Sequence, residues 1–444
     1  MLEVTEAVQT ILRHALTLSS VSLPLLSPTL IGSVIAKDIY AREAVPAYRA
    51  SIVDGYAMVV PVSDSESKQK IKGVFPVASV LHAQAASAPP PLADGTIARI
   101  TTGAPLPPNA NAVVMVEDTV VASNTPDGAE EATVEVLTDA VKAGENVREP
   151  GSDIKLNSLV LPQGTSVTSS GGEIGVLAAA GVQTVEVFAK PRVGVLSTGD
   201  EVTDITHPEP LQGGQIRDSN RPALISALQG WNLCSQVVDL GIARDTPVGS
   251  LETALRSALG QDQLDVIITT GGVSMGELDL LKPTIERSLA GTIHFGRVSM
   301  KPGKPTTFAT VPIKTTSSGE RTSRLIFGLP GNPASAIVTA NLFVLPALQQ
   351  MAGIMDKQGL ESINVELQER VRCDKDRVEY HRVMISAVPD KERLVASSTG
   401  MQRSSRVGSM VGANGLLVLP QREGWLEKGE TCEALMMGPI RGLR

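Results

Sequence analysis

Residues 190–350 alternate short apolar runs with helical patterns, and this alternation restricts the fold more than any other feature of the chain. The apolar runs are nearly continuous and rich in Val, Ile and Leu, which is typical of strands buried on both faces. Strands that alternate with helices form parallel sheets, because each helix crosses back over the sheet. We therefore predict a doubly wound parallel α/β sheet. Its strands are expected at 192–196, 236–240, 266–270 and 325–327, and its helices at 220–231, 249–259, 279–289 and 333–350.

The flanking regions have different patterns, and a chain of 444 residues has room for about three domains of ordinary size. Residues 43–140 contain short apolar runs between Pro and Gly turns, which predicts a small, mainly β domain inserted into the N-terminal region. Residues 1–42 and 141–189 then form a discontinuous helical and linker domain, in which a serine-capped helix and a strand at 184–188 pack with an N-terminal helix. The α/β domain covers 190–352. Residues 353–444 alternate in the manner of a C-terminal β-barrel domain.

Three segments are not explained by these patterns. Residues 61–96 and 121–140 follow no recognisable pattern, and 312–324 resembles an insertion before a core strand. Loops of this kind are where partner-binding functions accumulate, so a partner-binding role stays open.

Charge and composition exclude several classes of protein. The net charge is −8 and no basic stripe is visible, which argues against a nucleic-acid partner. The three cysteines are odd in number and far apart, which indicates a reducing compartment rather than a disulfide framework. Residues 2–18 form an amphipathic helix rather than a signal peptide. The apolar segment 334–348 is too short to cross a bilayer, so we expect a cytoplasmic protein without a transmembrane segment.

Small polar loops follow the predicted strands, and ligands of open α/β sheets bind outside these strand ends. Gly and Ser loops that lead into helices leave backbone N–H groups free for a phosphate, and carboxylates beside a phosphate suit Mg²⁺. An acid at one such junction can instead cap the helix. Three acidic strand ends together with two glycine-rich loops favour a ligand site. The loops lie at 197–201, 244–245, 271–279 and 329–333.

The run KPGKP at 301–305 differs from a nucleotide P-loop because Pro305 stands where Ser or Thr would hold Mg²⁺. Lys301 and Lys304, fixed between prolines, are instead suited to binding an oxyanion. The alternative is a solvated turn. Arg382 and the hydroxyl-rich segment 402–409 offer further oxyanion chemistry, although Ser and Arg loops are also common on surfaces.

The motifs SIVDGYAM, TTGAPLP, VEDT, GSDI, STGDE, GQIRDSN, DLGIARD, GGVSMGELD, KPGKP, GLPGNPAS and QRSSRVGSMVGAN occur between residues 45 and 414. In this order the chain resembles the MoeA proteins and the E domains of gephyrin type. Residues 327–348 are more similar to the eukaryotic members. The resemblance implies a molybdopterin molybdotransferase, a molybdenum insertase that inserts molybdate into adenylylated molybdopterin with Mg²⁺-dependent release of AMP.

The resemblance also implies roles for individual residues. The catalytic set is Asp54, Thr102, Glu201, Asp245, Asp279, Lys301 and Lys304. The pterin-nucleotide substrate is expected at Ser197, Thr198, Gly199, Asp218, Gly271, Gly272, Ser274, Gly276, Gly331 and Asn332. Magnesium is expected at Asp153, Glu201, Asp245 and Asp279, and molybdate at Lys304, Pro305, Ser335, Arg382 and Ser409.

The implied assembly is an elongated homodimer of four-domain subunits, in which the DGYA module of one subunit faces the sheet and barrel of the other. Implied partners are an adenylyltransferase domain, which can be fused in a longer chain, and molybdenum-enzyme apoproteins or cofactor carriers. Two alternatives stay open. A stand-alone adenylyltransferase lacks the DGYA and SSR regions, and a scaffold that binds a receptor peptide would not need the motif residues.

Overall fold

The computed structural model describes residues 1–61, 71–83, 88–246, 249–260, 263–272, 280–314, 321–356, 358–389 and 393–442. The chain divides into two compact units. The first unit contains 1–37, 163–169 and 186–444, and the second contains 38–162 and 170–185. This division is coarser than the predicted four domains, whose boundaries therefore stay a prediction.

A six-stranded sheet forms the centre of the first unit. Its first four strands are parallel to one another. The fifth strand pairs antiparallel with both the fourth and the sixth. Alternate residues face opposite sides, so that Val266 and Ile268 belong to one core and Ile267 to another. This confirms the predicted α/β sheet and places the carboxyl ends of four strands at one edge. The strand order is Gln236–Ala243, Arg192–Thr198, Val266–Thr270, Arg321–Leu329, Thr307–Lys314 and Thr292–Phe295.

The segment predicted as an insertion, 312–324, includes strand residues that the sequence analysis did not predict. Its described residues form the paired arms of a hairpin, with a continuous register from Thr307 opposite Gly328 to Lys314 opposite Arg321. The antiparallel strands beyond the parallel core lack a continuous apolar run at this end, because Arg324, Ser323 and Thr322 are polar. The sequence pattern therefore concealed them.

Helices cover both faces of the sheet. They are Asn220–Trp231, Ser250–Gly260, the short helix Leu281–Pro283 with the π-helical turn Thr284–Ser288, and the continuous run Pro333–Thr339, Ala340–Val344 and Leu345–Met351. The last run matches the predicted helix 333–350 to within one residue, but it is longer than the apolar segment 334–348 that was expected to be too short to cross a bilayer. By length and composition alone it is the one described helix that suffices to cross a membrane, but 83% of its apolar window is buried inside the protein. Its burial is that of a core helix.

The N-terminal helix, Val4–His14, packs on this sheet. The sequence had instead predicted that it packs with the helix and strand of residues 141–189. Ala7 and Ile11 share a core with Val193 and Phe308. The predicted serine cap of the later helix Gly172–Ala179 is wrong, because the capping residue is Gly171 in a left-handed conformation with no side-chain hydrogen bond.

A closed β-barrel ends the first unit, as predicted. Five strands pair in a ring, in the order Val378–Ser386, Val395–Ser398, Glu361–Leu367, Thr431–Met436 and Gly415–Leu419, and the last pairs again with the first. The short strand Met300–Lys301 adds in parallel beside Val378–Ser386. The KPGKP loop is therefore attached to the barrel. The remaining short elements are Ser20–Pro24, Pro28–Leu30, Thr184–Phe188, Val202–Thr203, Ile216–Arg217, Val371–Arg372, Val407–Met410 and Trp425–Leu426.

The second unit is mainly β, as the Pro/Gly turns predicted. Its principal sheet has the order Ala112–Met115, Gly55–Met58, Ile97–Ile100, Gly73–Leu81, Glu131–Val136 and Thr119–Asn124. Two of these strands, Gly73–Leu81 and Glu131–Val136, lie in the segments for which no pattern was recognised, and Thr119–Asn124 extends into one of them. The smaller elements are Ile39–Tyr40, Ala50–Ser51, Val116–Asp118, Val147–Arg148, Leu159–Leu161 and the helix Gly172–Ala179.

Candidate functional site

A cavity of about 400 Å³ lies at the carboxyl ends of the parallel strands, where an open α/β sheet binds its ligands. We call it the glycine-loop cavity. Three of the four predicted loops line it, together with Asp218 of the GQIRDSN motif, so the structure brings together most of the expected substrate-binding set. Its lining includes the predicted Ser197, Thr198, Glu201, Asp218, Gly271, Gly331 and Asn332.

Two glycines allow this close approach of loops. Gly271 has φ +91°, and a Cβ there would lie 2.6 Å from the Thr198 carbonyl oxygen. Gly199 has φ +130°, and a Cβ there would lie 2.5 Å from the Glu201 carboxylate. The predicted Gly272 lies beside the Thr198 hydroxyl. A side chain at 271 would therefore displace the backbone of the neighbouring loop, whereas at 199 it would move the Glu201 side chain and strain the backbone.

Buried hydrogen bonds fix the polar wall of the cavity. Ser197 Oγ donates to Asp218 Oδ1 at 3.0 Å, and Arg221 Nε donates to Asp218 Oδ2 at 2.9 Å. Asp218 is 3% exposed. Its carboxylate is thus engaged in holding Ser197 and the start of the helix, so it shapes the wall of the cavity.

Asn220 is a site residue that was not singled out in the sequence, although it belongs to the quoted GQIRDSN motif, because an Asn at the start of a helix is typical of an N-cap. The helix instead has Ser219 as its N-cap, and Asn220 lines the cavity. Its Nδ2 donates to Thr270 Oγ1 at 2.7 Å and to the Gly331 carbonyl at 2.8 Å. Its Oδ1 is buried without a partner among the described residues. Asn220 therefore ties two strand-end loops together.

Three carboxylates cluster beside the cavity. Asp200 accepts hydrogen bonds from the backbone N–H of Asp245 at 2.9 Å and from Thr246 Oγ1 at 2.6 Å. Burial, followed by the charges of Asp200 and Glu201, raises the pKa of Asp245. The mutual repulsion of these acids would be relieved by a cation. Asp200 belongs to the quoted STGDE motif but was not singled out.

The predicted Asp279, Ser274 and Gly276 lie outside the described residues. In the parts of the chain that the structure describes, no three His, Cys, Asp or Glu side chains are grouped so as to hold a metal ion. Glu201 and Asp245 nevertheless match the donor set that Mg²⁺ uses beside phosphates, one or two carboxylates completed by water and phosphate oxygens.

A second cavity, of about 640 Å³, contains the KPGKP loop, and we call it the lysine cavity. The predicted Lys301, Lys304, Pro305 and Ser335 all line it. Asn332 and Ser405 line both cavities, so the two adjoin. Lys304 makes no ion pair with any residue that the structure describes. Its charge is free for an anion.

Lys301 differs from the expected oxyanion clamp. Its ammonium lies 2.9 Å from Glu379 Oε2 and 3.2 Å from Asp374 Oδ2. Burial opposes the charge, but the Glu379 and Asp374 carboxylates raise the pKa of Lys301. The lysine is therefore charged, yet two acids neutralise it.

Arg382 and Ser409 come together as predicted, but neither lines the lysine cavity. Both are fully buried. The guanidinium donates to Ser409 Oγ at 3.2 Å from Nε and 3.0 Å from Nη2, whereas Nη1 has no partner among the described residues. Burial lowers the pKa of Arg382 to about 10, although Glu379 opposes this. A buried guanidinium with a free donor suits an oxyanion that reaches it.

The two predicted motifs of the second unit are also formed. The Asp54 carboxylate accepts hydrogen bonds from the Thr102 backbone N–H at 2.7 Å and from its hydroxyl at 3.1 Å. These bonds lower the pKa of Asp54. Asp153, predicted as a magnesium ligand, is ion-paired with Arg148, whose charge already balances it.

Comparisons with known proteins match three regions of the chain. The MoeA N-terminal region (domains I and II) matches residues 2–181, the probable molybdopterin-binding domain 194–350, and the MoeA C-terminal region (domain IV) 364–437. The protein named gephyrin of Dictyostelium discoideum is 38% identical over 92% of this chain. The molybdopterin molybdenumtransferase of Haemophilus influenzae is 31% identical, covering 90% of this chain and 89% of that protein.

The crystal structure of the molybdopterin biosynthesis moeA protein from Pyrococcus horikosii has a TM-score of 0.74 and 26% identity. It covers 99% of this chain and all of that one. The chain spans only 58% of the length of the Dictyostelium protein.

Proposed function

The chain belongs to the MoeA family of molybdenum cofactor biosynthesis, and from this premise we propose that it inserts molybdate into adenylylated molybdopterin and releases AMP. One observation carries the proposal. A cavity of glycine-rich strand-end loops adjoins a cavity containing Lys304, which has no ion pair with the described residues, and the two cavities share Asn332 and Ser405. Such a pair of cavities suits a phosphorylated pterin and a tetrahedral oxyanion that must meet.

The lysine cavity reduces the electrostatic cost of this meeting. Molybdate is a dianion and the pterin nucleotide carries phosphates, so the two substrates repel each other. Lys304 supplies a positive charge, and Ser335 supplies a hydroxyl at the same wall. Arg382 donates a hydrogen bond to the carbonyl of Arg403, a residue of the same cavity, and its Nη1 has no partner among the described residues. Charge-assisted hydrogen bonds from these groups would hold and orient the oxyanion.

The glycine-loop cavity positions the other substrate. Its loops present small side chains and a strand-end edge at which phosphates bind. Glu201 and Asp245 would hold Mg²⁺ there, which when bound would polarise the phosphoanhydride and favour AMP as leaving group. The Asp200 carboxylate keeps the Asp245 loop in place by accepting a hydrogen bond from the backbone N–H of Asp245. No covalent protein nucleophile is needed.

The proposal is tested with the full chain, adenylylated molybdopterin, molybdate and Mg²⁺. We expect stoichiometric AMP release, measured by chromatography, and activation of a molybdenum-free apoenzyme by the product. Omitting molybdate or adding a chelator should suppress both readouts. A folded chain that releases no AMP and activates no apoenzyme under saturating substrates would refute the insertase proposal. The homodimer, the adenylyltransferase partner, the apoprotein or carrier partners and the cytoplasmic location belong to the same proposal.

A further inference from the structure

Lys301 lines two cavities. It lines the lysine cavity together with Lys304. It also lines a third cavity of about 450 Å³, which we call the acidic cavity after its four acids, although Arg372 and Lys375 line it as well; the acids are Asp374, Asp376, Glu379 and Glu423. Its ammonium is bound by Asp374 and Glu379, both of which belong to the acidic cavity.

Glu379 is built to keep the ammonium there. It is 4% exposed, and its two oxygens are divided between Lys301 and His381, whose Nδ1 lies 3.5 Å from Oε1. His381 Nε2 is in turn hydrogen-bonded to Ser398 Oγ at 2.8 Å. Burial alone would raise the pKa of Glu379, but His381 and Lys301 lower it, so the carboxylate is ionised.

Asp374, the second carboxylate that contacts Lys301, also lies near Arg377. Arg377 Nη2 lies 3.8 Å from Asp374, and Arg377 lines the lysine cavity. If the Lys301 ammonium moved toward an anion, Asp374 would still contact Arg377 and Glu379 would still contact His381. The contacts therefore provide a resting position for Lys301 and leave its carboxylates partly compensated when it departs.

We propose that Glu379 is a positioning residue that withholds Lys301 from the oxyanion, so that the lysine cavity binds molybdate more weakly than its two lysines would allow. This inference rests on the proposed function, since it assumes an oxyanion in that cavity. Weaker capture has a chemical use. An oxyanion that must pass to a dithiolene has to leave the cations that captured it, and a site with both lysines free would retain it.

The test uses molybdate alone and measures its dissociation constant by calorimetry on the full chain. Glu379→Gln keeps the shape and a hydrogen-bond acceptor but removes the charge. We expect it to tighten molybdate binding about tenfold, the order of effect of one charge a few ångströms away. Glu423→Gln, at an exposed acid of the same cavity that does not pair with Lys301, is the matched control and should tighten binding less than about twofold.

A double-mutant cycle separates release of Lys301 from simple loss of negative charge. In the Lys301→Gln background, Glu379→Gln should tighten binding no more than Glu423→Gln does. Perrhenate, a tetrahedral monoanion, should gain only about threefold from Glu379→Gln, because the electrostatic free energy scales with the charge of the anion. Asp374→Asn should act in the same direction and serves if Glu379→Gln does not fold.

The outcomes are distinct. Equal tightening by Glu379→Gln in the wild-type and Lys301→Gln backgrounds, or no tightening in folded Glu379→Gln and Asp374→Asn, would overturn the withholding role while leaving the oxyanion site intact. No molybdate binding by the wild-type chain would refute the oxyanion site itself, and with it the proposed function.

Discussion

At the scale of single residues, the lysine cavity separates two lysines that look equivalent in the sequence. Lys304 is free of ion pairs with the described residues, whereas Lys301 is held by two acids. We expect Lys304→Ala to raise the molybdate concentration for half-maximal turnover at least about tenfold, as loss of a charge-assisted contact does. Binding of the adenylylated pterin, measured separately, should be unchanged, and Lys428→Ala, an exposed lysine outside the cavity, is the control. Equal weakening of both substrates would assign Lys304 to the pterin site.

The acidic cluster gives a second residue-scale prediction. Asp245→Asn should fold but lose at least about tenfold of Mg²⁺-dependent AMP release, because one of few carboxylate ligands is gone. Asp356→Asn, at an exposed acid outside the cavities, controls for the change in net charge. The measurement is AMP release across a Mg²⁺ titration. Wild-type turnover at low Mg²⁺ in Asp245→Asn would show that this carboxylate binds no metal.

How far the site could be predicted also depends on the residue. Ser197, Gly271, Gly331 and Asn332 were predictable because strand ends of a parallel sheet meet at one edge, which is a property of the fold. The pairing of Lys301 with Glu379 was not predictable from the sequence. It joins positions 78 residues apart in sequence through the attachment of Met300–Lys301 to the barrel, and no periodicity records such a long-range contact.

At the scale of secondary structure, the loop after Val266–Thr270 depends on a glycine. Gly271→Ala would place a Cβ 2.6 Å from the Thr198 carbonyl at φ +91°, so it should destabilise the fold by roughly 1–3 kcal/mol and distort the glycine-loop cavity. Gly214→Ala, with nothing within 4 Å of its Cβ, is the matched control. Denaturant unfolding and pterin binding measure the two effects. If Gly271→Ala were as stable and as active as Gly214→Ala, the loop would not need its conformation.

The docking of the N-terminal helix gives a pH-dependent prediction. His14 and His294 stack with ring centroids 3.9 Å apart, next to Phe308. Burial and neighbouring charge lower both pKa values. The pair thus stabilises the fold fully above the unfolded-state pKa of about 6.5, and the contribution is lost as the pH falls through that value toward the lower folded-state pKa.

We therefore expect the midpoint temperature of thermal unfolding to decrease as the pH is lowered from 7.5 to 5.5. His14→Phe, which keeps a ring in the stack, should flatten this dependence. Substitution of the exposed His82 by Gln should leave it unchanged. An identical pH profile in His14→Phe would show that the stacked pair does not contribute to it.

Among the elements, the parallel strands and their helices were predicted closely because continuous apolar runs mark strands buried on both faces. The hairpin Thr307–Lys314 and Arg321–Leu329 was missed because Thr322, Ser323 and Arg324 interrupt the apolar run of its second strand, even though Val311 on the first strand is buried. The helix Pro333–Met351 was predicted to within one residue, and Pro346 is accommodated because it falls near the start of a new α-helical segment after a π-helical one.

At the scale of the whole molecule, the predicted catalytic set is divided between the two compact units. Asp54 and Thr102 belong to one unit, and Lys304 and Asp245 belong to the other. The family resemblance implies a two-fold homodimer in which the DGYA module of one subunit serves the sheet and barrel of its partner. Two-fold symmetry forms any such composite site twice, because each subunit presents the same surfaces to the other.

This arrangement predicts complementation. At a molybdate concentration well below the half-saturation of Lys304→Ala, the variants Asp54→Ala and Lys304→Ala should each be nearly inactive alone, because every site in either homodimer lacks one group. In a mixed dimer one site carries both substitutions and the other carries neither. Statistical mixing of equal amounts makes half of the dimers mixed, so AMP release should recover to about a quarter of the wild-type rate. Exchange of subunits is verified with differently tagged chains, and mixing Lys304→Ala with Asp245→Asn, both in the same unit, is the control that should not recover. Verified exchange without recovery would show that Asp54 and Lys304 serve a site within one chain.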